Sequence, residues 1–327
     1  MILTIIFYLL TTILYLFTIL LLLILSTVLW VKLKYEPVKR MCKSNAKLYG
    51  KTVLITGGNQ GIGLETAKDL ASRGARVIIA CRDGKKAAEA ITEIIATTGN
   101  KNIEYKHLDL AKFSNIRKFA EDFNKSYDRL DILVNNAGCG GLKPKLTEDG
   151  IDVVMQVNYI GPFLLTKLLL DKIIESKPSR IVNVSSLLHD FARLRVEKLG
   201  GMYAPGTSGM LLQYSNSKLC QVLWTKALAK RLPEGVTANS LHPGIVNTDI
   251  FKSLAPIYKK MVYACINVFF KTAKEGAQTS LHVCVSEDLN KVTGKYFVEC
   301  KEASYNNLAD NDELVESVWK KSIELTS

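Results

Sequence analysis

The chain has 327 residues, 43 Lys and Arg against 31 Asp and Glu, and a formal net charge of +12; 48% of its residues are hydrophobic and 23% charged. This composition excludes a disordered, collagen-like or low-complexity polymer. The seven cysteines are odd in number and widely spaced with no CxxC, and the four histidines show no paired-ligand spacing. Both features argue against a disulfide framework and against a metal site.

From Met1 to Val31 there is no charged side chain, and Lys32 is the first. At about 1.5 Å per residue a helix of that length exceeds the ~30 Å hydrocarbon core. The segment has no basic start and no small-residue cleavage site, and its apolar run is too long for a signal peptide. Residues 1–31 are therefore expected to form an uncleaved membrane anchor. Residues 32–50 form a basic linker carrying Lys32, Lys34, Lys39, Arg40, Lys43 and Lys47. By the positive-inside rule this flank is cytosolic, and its lysines suit anionic headgroups. The N-terminus would be luminal and the rest of the chain cytosolic, on a membrane such as that of the endoplasmic reticulum. Basic residues interleaved with aromatics are absent, so no nucleic-acid partner is expected.

Beyond the linker, β-branched runs at Thr52–Thr56, Val77–Cys81, Ile103–Leu108, Ile132–Asn135 and Ile181–Ser185 predict strands. Helical patterns fall between them at Ile62–Ser72, Lys85–Thr97, Ile116–Tyr127 and Ile151–Ile174. A helix around Tyr214–Arg231 and strands at Thr237–Leu241 and Tyr296–Glu299 follow. The alternation predicts an α/β fold, a doubly wound parallel sheet of Rossmann type. With no Pro/Gly/Ser-rich interruption, residues 51–327 are expected to be one domain. Two stretches break the rhythm, Leu187–Leu212 and Phe251–Lys271, the second containing the apolar run Met261–Phe270. Both follow strands at the edge where such sheets bind ligands.

Three motifs carry chemistry. The first strand runs into Thr56-Gly57-Gly58-Asn59-Gln60-Gly61-Ile62-Gly63 and then a helix, the arrangement that cradles a pyrophosphate on a helix N-terminus. The second strand ends Ala80-Cys81-Arg82-Asp83. An acid at that end would hold the ribose 2′-hydroxyl of NAD, whereas Arg82 offers a fork suited to the 2′-phosphate of NADP. Asp83 stands one place late and could pair with Arg82. Finally, Tyr214-Ser215-Asn216-Ser217-Lys218 sets Tyr and Lys at i, i+4 on one helix face. An ammonium there should lower the phenol's pKa and make Tyr214 a general acid/base.

TGGNQGIG, NNAG, Asn158, Ser185-Ser186, YSNSK and HPGIVNT stand in the order found in the short-chain dehydrogenase/reductase family, which residues 51 to about 250 resemble. The anchor, IACRD, NVSS and the long gap before YxxxK resemble the retinol dehydrogenase branch. The resemblance implies that Tyr214 is the proton donor and that Lys218 holds the ribose hydroxyls. Ser186 bonds the substrate oxygen, and Asn158 supports a proton relay through Lys218. It also implies that Gly57, Asn59, Gln60, Gly61, Ile62, Gly63, Arg82, Asp109, Leu110, Asn135, Ala137, Gly138, Tyr214, Lys218, Pro243, Gly244 and Thr248 surround the cofactor. Gly58 and Gln60 depart from the TGANTGIG common in that branch, and the 28-residue interval from Ser186 to Tyr214 is long. These imply a membrane-bound, NADP(H)-favouring oxidoreductase acting on a lipophilic carbonyl or alcohol, retinal or retinol foremost. A steroid, a fatty aldehyde, another lipid carbonyl or a non-catalytic cofactor-binding scaffold are the alternatives. The sequons at Asn124 and Asn183 should be unused if the domain is cytosolic.

Overall fold

A computed structural model describes residues 2–35, 39–202, 206–246 and 271–327. It begins with helix α1 (Ile2–Tyr35), which continues past the expected end of the anchor into the first lysines. Within it Thr4–Thr27 is long and apolar enough to cross a membrane and none of it is buried.

The domain is built on strands β1 (Thr52–Thr56), β2 (Arg76–Cys81), β3 (Ile103–His107), β4 (Ile132–Asn135), β5 (Ser179–Val184), β6 (Val236–His242), β7 (Tyr296–Val298) and β8 (Lys301–Glu302). Their order in the sheet is β3-β2-β1-β4-β5-β6-β7-β8. The first seven are parallel, and β8 returns antiparallel to β7. β1, β4 and β6 are buried along their whole length. Strands covered on both faces need no polar alternation, which is why β1 and β4 read as apolar β-branched runs, while β6 buries Asn239, Ser240 and His242 as well.

Helices α2 (Gly61–Ser72), α3 (Gly84–Thr98) and α8 (Ala273–Val285) cover one face. Helices α4 (Phe113–Ser126), α6 (Gly161–Glu175), α7 (Thr207–Ala229) and α9 (Asp312–Leu325) cover the other. There Tyr159, Phe163, Trp224 and Trp319 pack edge to face or tilted, with centroids 5.3–6.2 Å apart, a geometry aromatic quadrupoles favour.

Beyond shifts of a residue or two at strand ends, three differences from the sequence expectation bear on the site and its surroundings. The helix expected over Ile151–Ile174 is divided into a short turn α5 (Val153–Met155), a π-turn (Gln156–Ile160) and α6. Gly161 and Pro162 at the start of α6 account for the break. A Cβ on Gly161 would stand 2.7 Å from Leu110 O, and Pro162 lacks the N–H that a regular helix needs. Helix α7 starts seven residues before Tyr214, so the tyrosine sits within the helix and not at its end. Residues 39–50, expected as a plain linker, lie against α2 and α8, with Leu48 buried.

Candidate active site

Strand order reverses between β1 and β4, so the turns leaving their C-terminal ends diverge and open a crevice. Gly57 (φ 66°) and Gly61 (φ 57°) adopt the left-handed backbone that turns β1 into α2. A Cβ on Gly63 would stand 2.3 Å from Gly57 O and 2.5 Å from Asn136 Nδ2, so only glycine fits there. Asn136 Nδ2 donates to Thr56 O at 2.9 Å, and the Asn136 and Ala137 N–H groups both donate to Thr56 Oγ1 at 3.0 Å. These bonds lock the β1 and β4 turns together. At the N-terminus of α2, Gln60 makes no side-chain cap and no acid stands in the first turn. The helix therefore presents open N–H groups and its positive end to the crevice. This glycine cradle fits a dinucleotide pyrophosphate. Asn59 and Ile62 flank it, and Gln60 Oε1 accepts from Lys86 Nζ at 3.3 Å.

Arg82, at the end of β2, is exposed and makes no hydrogen bond or ion pair among the described residues. Asp83 does not pair with it: the Asp83 carboxylate caps α3 by accepting from Lys86 N at 3.1 Å. A helix N-terminus satisfies that carboxylate better than an exposed guanidinium does. Asp109 closes its own turn, accepting from Ala111 N at 3.0 Å, and Leu110 is buried against Gly161. Asn135 is buried, with Nδ2 donating to Thr166 Oγ1 at 3.1 Å and Asn183 Oδ1 at 2.9 Å, while Asn183 Nδ2 donates to Thr225 Oγ1 at 2.9 Å. That polar chain braces β4 and β5 beneath the site, and it buries the Asn183 sequon in the sheet. Pro243 and Gly244 (φ 98°) follow β6 on the same edge. Thr248 lies outside the described residues.

Tyr214, Ser186, Lys218 and Asn158 come together at this edge. The Ser186 hydroxyl stands near the Tyr214 phenol and favours its ionised form. Lys218 Nζ is 5.7 Å from the Tyr214 ring centroid and donates to Val184 O at 2.8 Å. A Cβ on Gly138 would lie 3.4 Å from Asn158 Oδ1 and 3.5 Å from Lys218 Nζ, so the NNAG turn closes directly over both. The Asn158 amide is gripped by the main chain of Cys139, accepting from its N–H at 2.8 Å and donating to its carbonyl at 2.9 Å. It also donates to Ser217 Oγ at 3.0 Å.

The electrostatics depart from the sequence expectation. Burial pushes the Tyr214 phenol up to about 12, only partly opposed by the nearby Ser186 hydroxyl, and it pushes the Lys218 ammonium down to about 8. Desolvation penalises both charged forms. Tyr214 is thus protonated near neutral pH, and Lys218 does not bring its pKa below the ordinary value.

Three site contacts are not drawn from motif reading. Gln221 Nε2 donates to the Asn158 main-chain carbonyl; the signal was Pro162, four residues on, which removes that carbonyl's helical donor. Buried His189 lies with Nδ1 2.7 Å from Ser186 O, while Nε2 accepts from Asn306 N–H at 3.1 Å, which places the ring proton on Nδ1. At the end of β6, His242 Nδ1 accepts from Leu187 N–H at 3.2 Å, and burial depresses its pKa to about 3. No sequence spacing links Asn306 or His242 to Ser186.

Residues 51–258 match the family model for short chain dehydrogenases. The chain is 42% identical over 312 residues to retinol dehydrogenase 11 of Mus musculus, covering 93% of this chain and 96% of that protein. Among solved structures it resembles a protein from Mycobacterium paratuberculosis, with a TM-score of 0.68 and 28% identity over 88% of this chain and 97% of that one. It also resembles a protein of the short chain dehydrogenase type from Shigella flexneri 2a str. 301 complexed with NADP, with a TM-score of 0.60 and 25% identity over 79% of this chain and 100% of that one.

Proposed function

The chain belongs to the short-chain dehydrogenase family, and from that membership we propose that it is a membrane-anchored, NADP(H)-favouring oxidoreductase of retinal and retinol. One observation carries the chemical part of this reading: a protonated, buried Tyr214 near Ser186 and beside Lys218, whose ammonium lies under the Gly138 turn.

The nicotinamide cofactor, when bound, supplies or accepts the hydride. The protein's own groups do the rest. Ser186 would hold the carbonyl oxygen by its hydroxyl, which stands near Tyr214. Tyr214 passes its phenolic proton to that oxygen as the alcohol forms, and takes it back in the reverse direction. Lys218, released from Val184 O, would bond the ribose hydroxyls, and its positive charge would then favour the phenolate left on Tyr214. Asn158, fixed by Cys139, Ser217 and Gln221, holds the floor of the site beside Lys218. The cradle Gly57–Gly63 and the α2 N-terminus would hold the pyrophosphate.

The NADP preference rests on Arg82, exposed at the end of β2, with Lys86 one helical turn away on the same rim. A retinoid substrate is supported by the identity to a retinol dehydrogenase over almost the whole of both chains. Anchoring rests on the unburied apolar helix at Thr4–Thr27 and the lysines after it. A cytosolic domain would work against a reduced NADPH pool, which favours the retinal-to-retinol direction.

The test is cofactor consumption by detergent-solubilised protein offered all-trans-retinal with NADPH or NADH. Oxidation of NADPH well above NADH is expected. Equal or greater use of NADH would remove the Arg82 reading. No turnover with retinal, but turnover with other lipid aldehydes or ketones, would remove the retinoid assignment.

A further inference from the structure

The residues after the anchor follow a defined path over the domain. Lys39 Nζ pairs with Glu275 Oε2 at 2.9 Å, in the first turn of α8. Arg40 N–H donates to Glu299 Oε2 at 2.8 Å and Cys42 N–H to Gln278 Oε1 at 3.1 Å. Ser44 Oγ donates to Val285 O, the last residue of α8, at 3.1 Å. Arg73, just past α2, then holds Ser44 O and Ala46 O at 2.9 and 3.1 Å, before β1 begins at Thr52.

The direction of α8 orients this strap. Its start lies beside the C-terminal end of β6, where Lys271 N–H donates to Ile245 O at 3.0 Å. Its end lies beside the N-terminal end of β5, where Arg180 donates to Val283 O and Ser286 O at 3.0 and 2.7 Å. The strap therefore enters at the C-terminal edge of the sheet, which carries Ser186, Pro243 and Gly244, and leaves at the opposite edge.

A clasp marks the entry point. Glu299 and Cys300 form the two-residue turn between β7 and β8 with φ of 52° and 56°, a conformation that usually selects Gly or Asn. Both side chains are engaged instead. The buried Glu299 carboxylate pairs with buried Lys271 Nζ at 2.5 Å through one oxygen and takes the Arg40 N–H with the other. The Cys300 thiol lies 3.4 Å from Gln278 O.

Covalent geometry then sets a limit. Four backbone steps separate Tyr35, the end of α1, from Lys39, so they stand at most about 14 Å apart. Helix α1 from Lys32 to Tyr35 adds only about 5 Å. The strap's entry point is thus no more than about 20 Å from the level of the first charged residue. Seven-residue β6 spans roughly 20 Å by itself, so the opposite edge of the sheet lies about that much farther from the strap's entry point along the strands.

Resting on the anchor reading above, we propose that the catalytic edge of the sheet is the face turned toward the lipid bilayer, held there by the 39–48 strap and the Glu299 clasp. A lipophilic carbonyl then passes from the membrane to Ser186 and Tyr214 without crossing bulk water. Arg40, Lys274 and Lys301 are exposed on this edge and suit an anionic lipid surface.

The test uses the full chain in nanodiscs of phosphatidylcholine and phosphatidylserine with a nitroxide quencher on the headgroups. A fluorescent amino acid is installed at exposed Lys301, on the catalytic edge, or at exposed Glu234, before β6 on the opposite edge. Quenching several-fold stronger at position 301 is expected. Equal quenching, or stronger quenching at 234, overturns the proposal. Inserting about 20 Gly/Ser residues between Tyr35 and Lys39 leaves the contacts of Lys39 and the strap after it in place and lengthens the tether by about 25 Å. It should reduce quenching at 301 while retinal turnover in detergent is unchanged. Undiminished quenching at 301 would mean that the tether does not set the orientation. A chain that does not remain with the lipid overturns the anchor reading and this proposal together. Detergent turnover reports separately on the oxidoreductase reading.

Discussion

The cofactor side and the substrate side of the crevice are built on different physical terms. On the cofactor side, residues near in sequence do most of the work. Gly57, Gly61 and Gly63 shape one turn, and the Thr56–Asn136 bonds lock it to the neighbouring turn within the same layer of strands. On the substrate side, Ser186 is steadied by His189, whose ring is held by Asn306 more than a hundred residues away. Lys226 of α7 reaches Tyr305 and the Ala309 carbonyl, and Arg231 reaches Glu316 at 2.5 Å. Steric exclusion at backbone thus defines the cofactor side, whereas long-range polar contacts tie the substrate side to the C-terminal tail. A single-atom intrusion should break the first, and only loss of distant partners should loosen the second.

The largest effect should come where the two sides meet. Tyr214→Phe removes the transferable proton but keeps the ring, so kcat for retinal reduction should fall by about 10²–10⁴ with little change in thermal stability. Unchanged turnover would break the assignment. Next, Gly63→Ala forces a methyl into Gly57 O and should lower cofactor affinity, read by fluorescence titration, by roughly tenfold or more, while destabilising the fold by about 1–3 kcal/mol. Arg82→Gln should raise the NADPH KM by roughly 10–100-fold and leave that for NADH unmoved, since only the 2′-phosphate is lost as a partner.

Asn306→Ala probes the other side of the comparison. It removes a main-chain-positioning side chain that donates to His189 O and Asp190 O at 3.2 and 3.1 Å. A fall in kcat of about three- to tenfold is expected, with cofactor affinity unaltered. A matched fall in cofactor affinity would erase the distinction between the two sides. A last effect is on pH dependence. The Lys218 ammonium is depressed from 10.5 to about 8 in the fold. Between those values the unfolded chain binds the extra proton, so this one group's contribution to stability rises as pH increases from about 8 to about 10.5. The thiols of Cys81, Cys139 and Cys300, raised by burial from 9.0 to about 11, act the other way above pH 9. The Lys218 contribution is therefore read as the difference in denaturant midpoint between the wild type and Lys218→Met, which should shift in favour of the wild type across that window.

The sheet was legible in the sequence because a strand buried on both faces needs a continuous apolar run. β1 and β4 have the bounds expected from their β-branched residues. The other expected strands differ at their ends by one or two residues, and β8 was not foreseen. Helices α8 and α9 were not singled out either. Helix α8 is held by packing on the sheet and by the cap at Thr272, whereas α9 has a cap at Asn311 and an apolar stripe through Leu314, Val315, Val318 and Trp319 that packs on the core. The tetrad and the glycine cradle could be named because their chemistry demands specific residue types at fixed local spacing. The rise of the Tyr214 pKa could not, since desolvation depends on what the fold packs around a group.

By itself the sequence determined the alternation of strands and helices, the phosphate-ready glycine turn, the Tyr–Lys spacing and the apolar N-terminal segment. Each of these is a local property of residue type and period. Only the tertiary structure decided which groups meet across long separations: Asn306 with His189, Gln221 with Asn158, and Glu299 with both Lys271 and Arg40. Such pairings depend on where the sheet brings its edges. Polar groups drawn into the interior must find whatever partner the fold places within reach, and no spacing along the chain encodes that choice.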